Sequence, residues 1–312
     1  MNIRQINLPV SLVRINAGPC EIVGTMGILK TLTIQHALQM ATEKLQERES
    51  PRREAEILLG HLLQQAREYL YTHQEVELSA DQLDQYHEIV RRRQQGEPIA
   101  YITGKREFWD LELWVTPAVL VPRPETELLV ETALELFTGD SLRNVADLGT
   151  GSGAIAIAVA KSRPQWRVTA VDTSNQALAV AKVNAEKHHT ENISFQQYSW
   201  CDGLEPNSMD LVIANPPYVA PADPHLQTGD LRYEPLVALK ADESGYADLF
   251  AIASSARACL KPGGWLLLEH GFEQHQRLSE KLQSLGYTSV TGRQDLAGHW
   301  RMMQAQWSSA AA

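Results

Sequence analysis

Asn215-Pro216-Pro217-Tyr218 carries the most specific chemistry in the chain. It closes an apolar stretch, Leu211-Val212-Ile213-Ala214, with the length and composition of a buried strand. An amide, a rigid diproline and an aromatic at a strand end suit the capture of a planar NH2 group. Such a nitrogen is a poor nucleophile because its lone pair is delocalised into a carbonyl or a ring. The Asn215 side-chain oxygen and the Pro216 carbonyl can each accept one N–H, and Tyr218 offers a stacking face. Proline fixes φ and has no N–H, so the diproline holds that carbonyl in a set direction. A strand ending in a proline turn is the plain alternative.

A second constellation lies upstream. Val145-Ala146-Asp147-Leu148 has the pattern of a buried strand, followed by Gly149-Thr150-Gly151-Ser152-Gly153 and a helix over 154–161. Glycines permit a tight turn and close approach of a ligand, and a helix N-terminus offers unpaired N–H groups. The spacing Gly149-x-Gly151-x-x-Ala154 also fits a dinucleotide fingerprint, so the glycines alone leave the ligand open. Asp172, at the end of the next strand, can accept hydrogen bonds from both ribose hydroxyls of a nucleoside, a role that suits NAD as well. Asp147 either faces a cationic ligand or caps the loop's own N–H groups, and it repels a pyrophosphate. A sulfonium bearing an α-amino group is such a cation. S-adenosylmethionine is therefore favoured over NAD, with Asn215 across the cleft from it.

These residues need a scaffold. From about 142 onward, strands expected at 145–148, 168–171, 193–197, 209–214 and 265–269 alternate with helices. That alternation predicts a doubly wound, mostly parallel α/β sheet with ligands beyond the strands' carboxyl ends. Segments 287–292 and 301–307 complete seven strands as an antiparallel pair at one edge. Residues 28–95 show three- and four-residue apolar spacing, through Ile34, Ala37, Leu38, Ala41 and Leu45 and again through Leu58, Leu59 and Leu62, and predict a small helical bundle. Residues 96–122 alternate and predict a β-hairpin linker turning near Gly104-Lys105. The catalytic domain then spans 123–307 and a short tail 308–312. Residues 1–27 have few charges and no helical period, and lack the apolar core and cleavage site of a secretory signal. They are expected to be a poorly ordered extension, with Met26 as an alternative start.

Bulk properties narrow the class. The 312 residues carry 44% hydrophobic and 21% charged side chains and a formal charge of −10. No apolar run reaches the roughly 20 residues that span a bilayer, and the acidity argues against broad nucleic-acid binding. Cys20, Cys201 and Cys259 are odd in number and far apart, which predicts neither a disulfide framework nor a metal site and fits a reducing cytoplasm. Arg91-Arg92-Arg93 ends a predicted helix, where positive charge is favoured; contact with an acidic partner is the alternative.

With D-L-G-T-G-S-G at 147–153, N-P-P-Y at 215–218 and E-H-G at 269–271, the chain resembles the protein-glutamine N5-methyltransferases of the HemK/PrmC type. The resemblance runs over about residues 30–307. Its more specific segments are G-E-P-I-A-Y-I-T-G at 96–104, R-E-F-W at 106–109, V-P-R-P-E-T-E at 121–127 and R-Y-E-P at 232–235. It implies a class I, Rossmann-like methyltransferase fold and methylation of the glutamine in the Gly-Gly-Gln motif of peptide chain release factors. It places the cofactor on Gly149, Thr150, Gly151, Ser152, Gly153, Asp172, Trp200 and Asn215, with Trp200 against the adenine, and the substrate glutamine on Asn215 to Tyr218. Where many relatives have an acidic residue for the adenine amino group this chain has Ser199, with Asp202 as a substitute. The implied partner is a release factor docked by the bundle and hairpin, with Arg91 to Arg93, Lys105 and Arg106 as contacts, on a monomeric enzyme. A DNA amino-methyltransferase, another protein or ribosomal methyltransferase, and a non-catalytic cofactor-binding adaptor are the alternatives.

Overall fold

The computed structural model describes residues 32–139, 141–227 and 229–308. The extension expected over 1–27, and all but the first residue of the expected tail, lie outside the described residues.

The bundle comprises α1 (Ile34–Lys44), α2 (Pro51–Leu63), α3 (Arg67–Thr72) and α4 (Ala80–Gln94). The predicted apolar positions Ile34, Leu38, Leu45, Leu58 and Leu59 meet in one core, joined by Leu70, Tyr86 and Val90. Each fully buried leucine contributes about 1.5–3 kcal/mol. Ser79 starts α4 with a capping box, its hydroxyl accepting from Gln82 N–H while the Gln82 side chain accepts from Ser79 N–H. Two short strands, β1 (Leu32–Thr33) and β2 (Glu77–Leu78), clasp the bundle. At two residues each they are too short to leave a periodic signal.

The linker departs from expectation. Residues Ile99–Thr103 form a helix, α5, and the hairpin is shorter: β3 (Lys105–Phe108) and β4 (Leu111–Trp114), turning at Trp109-Asp110. Gly104, expected at the hairpin turn, instead caps α5 with φ +72°. A left-handed glycine serves either purpose. A 3-10 turn at Pro124–Thr126 then leads into α6 (Glu127–Leu136).

The main sheet is built from β5 (Asn144–Leu148), β6 (Arg167–Asp172), β7 (Ile193–Gln197), β8 (Met209–Ala214), β9 (Leu260–Glu269), β10 (Tyr287–Gln294) and β11 (Trp300–Trp307). Four helices connect them: α7 (Ala154–Ser162), α8 (Asn175–Lys187), α9 (Ala247–Cys259) and α10 (His275–Ser284). The order is β10-β11-β9-β8-β5-β6-β7, with only β11 antiparallel to its neighbours. Alternate residues of the central strands feed two cores. Val145, Leu211 and Ile213 pack with α6 and α7, whereas Ala146, Leu148, Val212 and Ala214 pack with α9 and α10. Burial on both faces explains the continuous apolar runs.

Arg93 joins the bundle to the sheet domain. Its side chain is only 7% exposed. Nε and one terminal nitrogen bind Glu54, and the other binds Asp230 at 2.7 Å and the Glu97 carbonyl at 3.0 Å. This corrects its assignment as a partner contact: a buried, fully engaged guanidinium is not a docking group. The remaining candidates are also engaged, Arg91 with Glu88, Arg92 with Glu97, Lys105 with Glu112 and Arg106 with the Pro122 carbonyl.

Removing one member of a buried ionic cluster strands the others. Arg93→Ala is expected to lower unfolding free energy by roughly 3 kcal/mol or more, seen as a fall in the urea midpoint. Arg91→Ala, which breaks an exposed pair, is expected to cost less than about 1 kcal/mol. Equal shifts for the two would contradict the clamp.

Candidate active site

The strand order reverses at β5, which pairs with β6 on one side and β8 on the other. Beyond the carboxyl ends of these strands lies a cavity of about 360 Å³, the expected location for a ligand in an open α/β sheet. The loop after β5 and the residue after β8 both face it: Gly149 to Ser152 on one side, Asn215 and Pro217 on the other. Asp172, Ser174, Ser199 and Trp200 complete the cofactor-side wall, and Thr126 and Arg123 the wall beside Asn215.

The glycine loop is held by acceptors, which bears on what it can bind. Gly149 and Thr150 N–H donate to the Val171 carbonyl at 2.8 and 2.9 Å. Gly151 N–H donates to Asp172 Oδ2 and Ser174 N–H to Oδ1, both at 2.9 Å. Asp147 sits beneath the loop, off the cavity wall, its Oδ2 accepting from the Thr150 hydroxyl at 2.6 Å and Ala156 N–H at 3.1 Å. It thus caps the loop's own donors, the second of the two roles its position allowed. Burial, opposed by these bonds, pushes its pKa up to about 7. A pyrophosphate site needs free N–H groups and no adjacent carboxylate. Here Gly149, Thr150 and Gly151 N–H are already taken, and Asp172 stands on the wall with Asp147 beneath, which favours a nucleoside with a cationic centre over a pyrophosphate.

Gly149 has φ +73°, and a Cβ there would stand 3.4 Å from the Trp200 ring. The absence of that atom lets loop and indole close over one side of the cavity. Burial raises the pKa of Asp248, and the side-chain hydrogen bond from Trp200 opposes that rise. Asp248 also lines the cavity, whereas Asp202 is exposed and off the wall.

The N-P-P-Y residues divide. Asn215 Nδ2 donates to Thr126 Oγ1 at 3.1 Å. Pro216 is buried and Tyr218 half-buried, and neither reaches the cavity wall. The Tyr218 hydroxyl donates to Glu269 Oε1 at 3.1 Å, and its ring packs against the core under β8 and β9. The stacking face expected of Tyr218 is therefore turned from the cavity, because a half-buried phenol takes the nearby buried acceptor.

The flanking motifs lock one another. Glu234, from R-Y-E-P, accepts from Val121 N–H and pairs with Arg123, both in V-P-R-P-E-T-E. Glu127, from the same segment, accepts from Trp109 N–H in R-E-F-W at 2.8 Å. Tyr233 donates to the Gln95 carbonyl, and the Arg232 guanidinium lies over Gly96, where a Cβ would come within 2.7 Å.

A family model described as the PrmC N-terminal domain matches residues 36–104, and one described as the methyltransferase small domain matches residues 124–230. The release factor glutamine methyltransferase of Shewanella oneidensis is 46% identical over 275 residues, covering 88% of this chain and 96% of that one. Its Escherichia coli counterpart is 43% identical over 268 residues, covering 86% and 96%. The chain belongs to the release factor glutamine methyltransferase family. A solved methyltransferase from Pyrococcus furiosus aligns with a TM-score of 0.49 at 18% identity, over 70% of this chain and 97% of that one.

Two members of the site escaped sequence reasoning. Thr126 sits inside a quoted family motif but carried no assigned role, and only the fold brings it to Asn215. Asp248 lies in the first turn of α9, where an acid is expected for helix reasons alone.

Asp172→Ala would remove a charged acceptor from the loop and from the cavity wall. Hydrogen bonds to charged groups contribute about 1.5–3 kcal/mol, so titration with S-adenosylmethionine should show binding weakened by roughly 10- to 100-fold. Unchanged affinity would remove Asp172 from the binding site.

Proposed function

We propose that the chain transfers a methyl group from S-adenosylmethionine to the side-chain nitrogen of the glutamine in the Gly-Gly-Gln motif of peptide chain release factors. The observation that carries this reading is the cavity at the strand reversal, where an amide at the end of β8 faces the same space as the glycine loop and Asp172. Membership of the family supplies the acceptor.

Bound there, the cofactor would supply a methyl group on a positively charged sulfur that is a good leaving group. Asp172 would hold the ribose hydroxyls, its oxygens keeping lone pairs beyond those given to Gly151 and Ser174. Gly149 to Ser152 and Trp200 would form the walls around the nucleoside, with Gly153 packed behind against Ile157 and Ala181 and Asp147 fixing the loop from below. Ser199 or Asp248, both on the wall, would accept the adenine amino group.

On the substrate side, Asn215 Oδ1 on the cavity wall and the Pro216 carbonyl behind it would accept the two N–H hydrogens of the glutamine amide as the side chain enters past Pro217. Two acceptors placed this way draw the nitrogen away from planarity and localise its lone pair. The protein's contribution is orientation and a fixed pattern of acceptors. No side chain needs to remove a proton before attack, since the proton is acidic once the nitrogen has been alkylated. Tyr218 stays behind the wall, its hydroxyl on Glu269.

Among the described residues no helix is long and apolar enough to cross a membrane. The free thiols of Cys201 and Cys259, which the fold brings together in its core, suit the reducing compartment where translation runs. The bundle and hairpin would dock the release factor, with Arg93 excluded by burial and Arg91 and Lys105 exposed beside their surface pairs.

Incubation with methyl-labelled cofactor and purified release factor, DNA or ribosomes should label the release factor alone, and not a variant lacking the Gln of Gly-Gly-Gln. Asn215→Ala should cut transfer by roughly two orders of magnitude or more while cofactor affinity stays within about tenfold. Near-normal turnover in that variant would refute the assignment.

A further inference from the structure

Leu236 and Val237 stand in the open beside the cavity, 57% and 73% exposed. They lie on a 3-10 turn, Leu236–Ala238, in the stretch that follows N-P-P-Y. Val237 lines the same cavity as Asn215 and Pro217, together with Pro235, Ala238 and Lys240. Other apolar side chains anchor the turn, since Leu239 and Ala241 just beyond it are buried. Leu236 and Val237 are therefore not needed to hold it. Two adjoining aliphatic side chains left exposed at a cavity mouth mark a contact surface.

The turn is fixed at both ends. Before it, buried Glu234 accepts from Val121 N–H at 3.2 Å and pairs with Arg123 at 2.5 Å. Within it, Ala238 N–H donates to the Pro235 carbonyl and Lys240 N–H to the Leu236 carbonyl, both at 2.9 Å. After it, Val219 N–H donates to the Leu239 carbonyl at 2.9 Å and Ala241 N–H to the Val219 carbonyl at 3.0 Å. Val219 directly follows Tyr218, so the turn keeps a set relation to N-P-P-Y. A surface presented this way loses little freedom on contact.

The side-chain nitrogen of an extended glutamine lies roughly 5 Å from its own Cα. With that nitrogen on Asn215, the substrate backbone stands at the cavity mouth and its flanking residues must run over the rim. Glycine has no Cβ, so backbone at such a position can approach a surface closely. We propose that Leu236 and Val237 form a docking lip for the polypeptide that carries the target glutamine, packing on the bare backbone of its adjacent glycines. The occupant is the release-factor loop, because that chain has to cross this rim to reach Asn215. The inference rests on the assignment of Asn215 as the acceptor for the release-factor glutamine.

Leu236→Ser and Val237→Ser remove apolar surface at exposed positions, and their thermal midpoints should stay within about 3 °C of the parent. Titration of dye-labelled intact release factor onto each variant is expected to show affinity weakened roughly 5- to 10-fold, and about 25-fold or more when the two are combined. In turnover the loss should fall on KM more than on kcat. Leu236→Met and Val237→Ile, which keep the apolar surface, should bind within about twofold of the parent. Affinity for S-adenosylmethionine should change by less than about threefold in all of them. Changing the glycine next to the target glutamine to alanine should weaken binding to the parent by about tenfold, but to Val237→Ala by no more than about threefold. A lip with a merely structural role would show no such coupling.

The proposal is overturned if both serine variants bind release factor within about twofold of the parent, or if the alanine change costs the parent and Val237→Ala equally. It is also overturned if cofactor affinity falls as far as release-factor affinity, which would put the lip on the cofactor's side. A parent that sediments as a dimer and becomes monomeric in Leu236→Ser would overturn it too, with a second copy of the chain as the occupant. A parent that binds release factor through the lip but leaves its glutamine unmethylated would overturn the functional assignment instead.

Discussion

The site depends on one topological constraint, the reversal of strand order at β5. Parallel strands joined by right-handed crossovers advance in one direction across a sheet, and β5, β6 and β7 do so. The next strand, β8, returns to the other side of β5. The loops leaving β5 and β8 therefore diverge to opposite faces, with no connection crossing between them. A crevice at their carboxyl ends is unavoidable, and the fold need only furnish its walls. Gly149 to Ser152 and Asn215 face each other because they are the first residues beyond two adjacent strand ends.

Within that crevice, hydrogen-bond satisfaction decides the ligand class more sharply than the glycine spacing does. The loop resembles a phosphate cradle in sequence but not in its use of donors. Val171, Asp172 and Asp147 take N–H groups that a phosphate would need. The same bonds make the loop rigid before any ligand arrives, so that little ordering remains to oppose binding. Asp172, on the cavity wall, suits a cationic centre, whereas Asp147, buried beneath the loop with its pKa pushed up to about 7, serves to hold the loop. An identical pattern of glycines over a neutral strand end would carry the opposite preference.

Much of this was legible from residue order, and the exceptions have physical causes. Strand and helix periods placed the seven-stranded sheet and the bundle, because burial on two faces and on one stripe leave different periods. The hairpin was set too early because Gly104 satisfies a helix cap as readily as a turn. Tyr218 was assigned to the ligand because an aromatic beside a cleft commonly stacks, but its hydroxyl had a buried acceptor that sequence distance concealed. Arg93 was grouped with its neighbours at a helix end, although only one of the three turns inward to Glu54 and Asp230. In each case the residue had two adequate roles, and a partner distant in sequence chose between them.

The segments R-E-F-W, V-P-R-P-E-T-E and R-Y-E-P show the same logic on a larger scale. V-P-R-P-E-T-E gives Pro122, Arg123 and Thr126 to the cavity wall and R-Y-E-P gives Pro235, and the three segments bind one another across three regions of the chain. The stretch after Tyr218 has its two ends paired through Val219 and its neighbours Leu239 and Ala241. Its middle is gripped by the bundle through Asp230, Arg232 and Tyr233. Its far side carries Pro235 and Val237 onto the cavity rim, where Val237 is 73% exposed. Arg93 cannot release Asp230 without weakening the match of its own buried charge, so this pair ties the rim to the bundle. The entrance to the cavity is thus positioned by the N-terminal bundle as much as by the sheet, and the motifs remote from the chemistry are what transmit that placement.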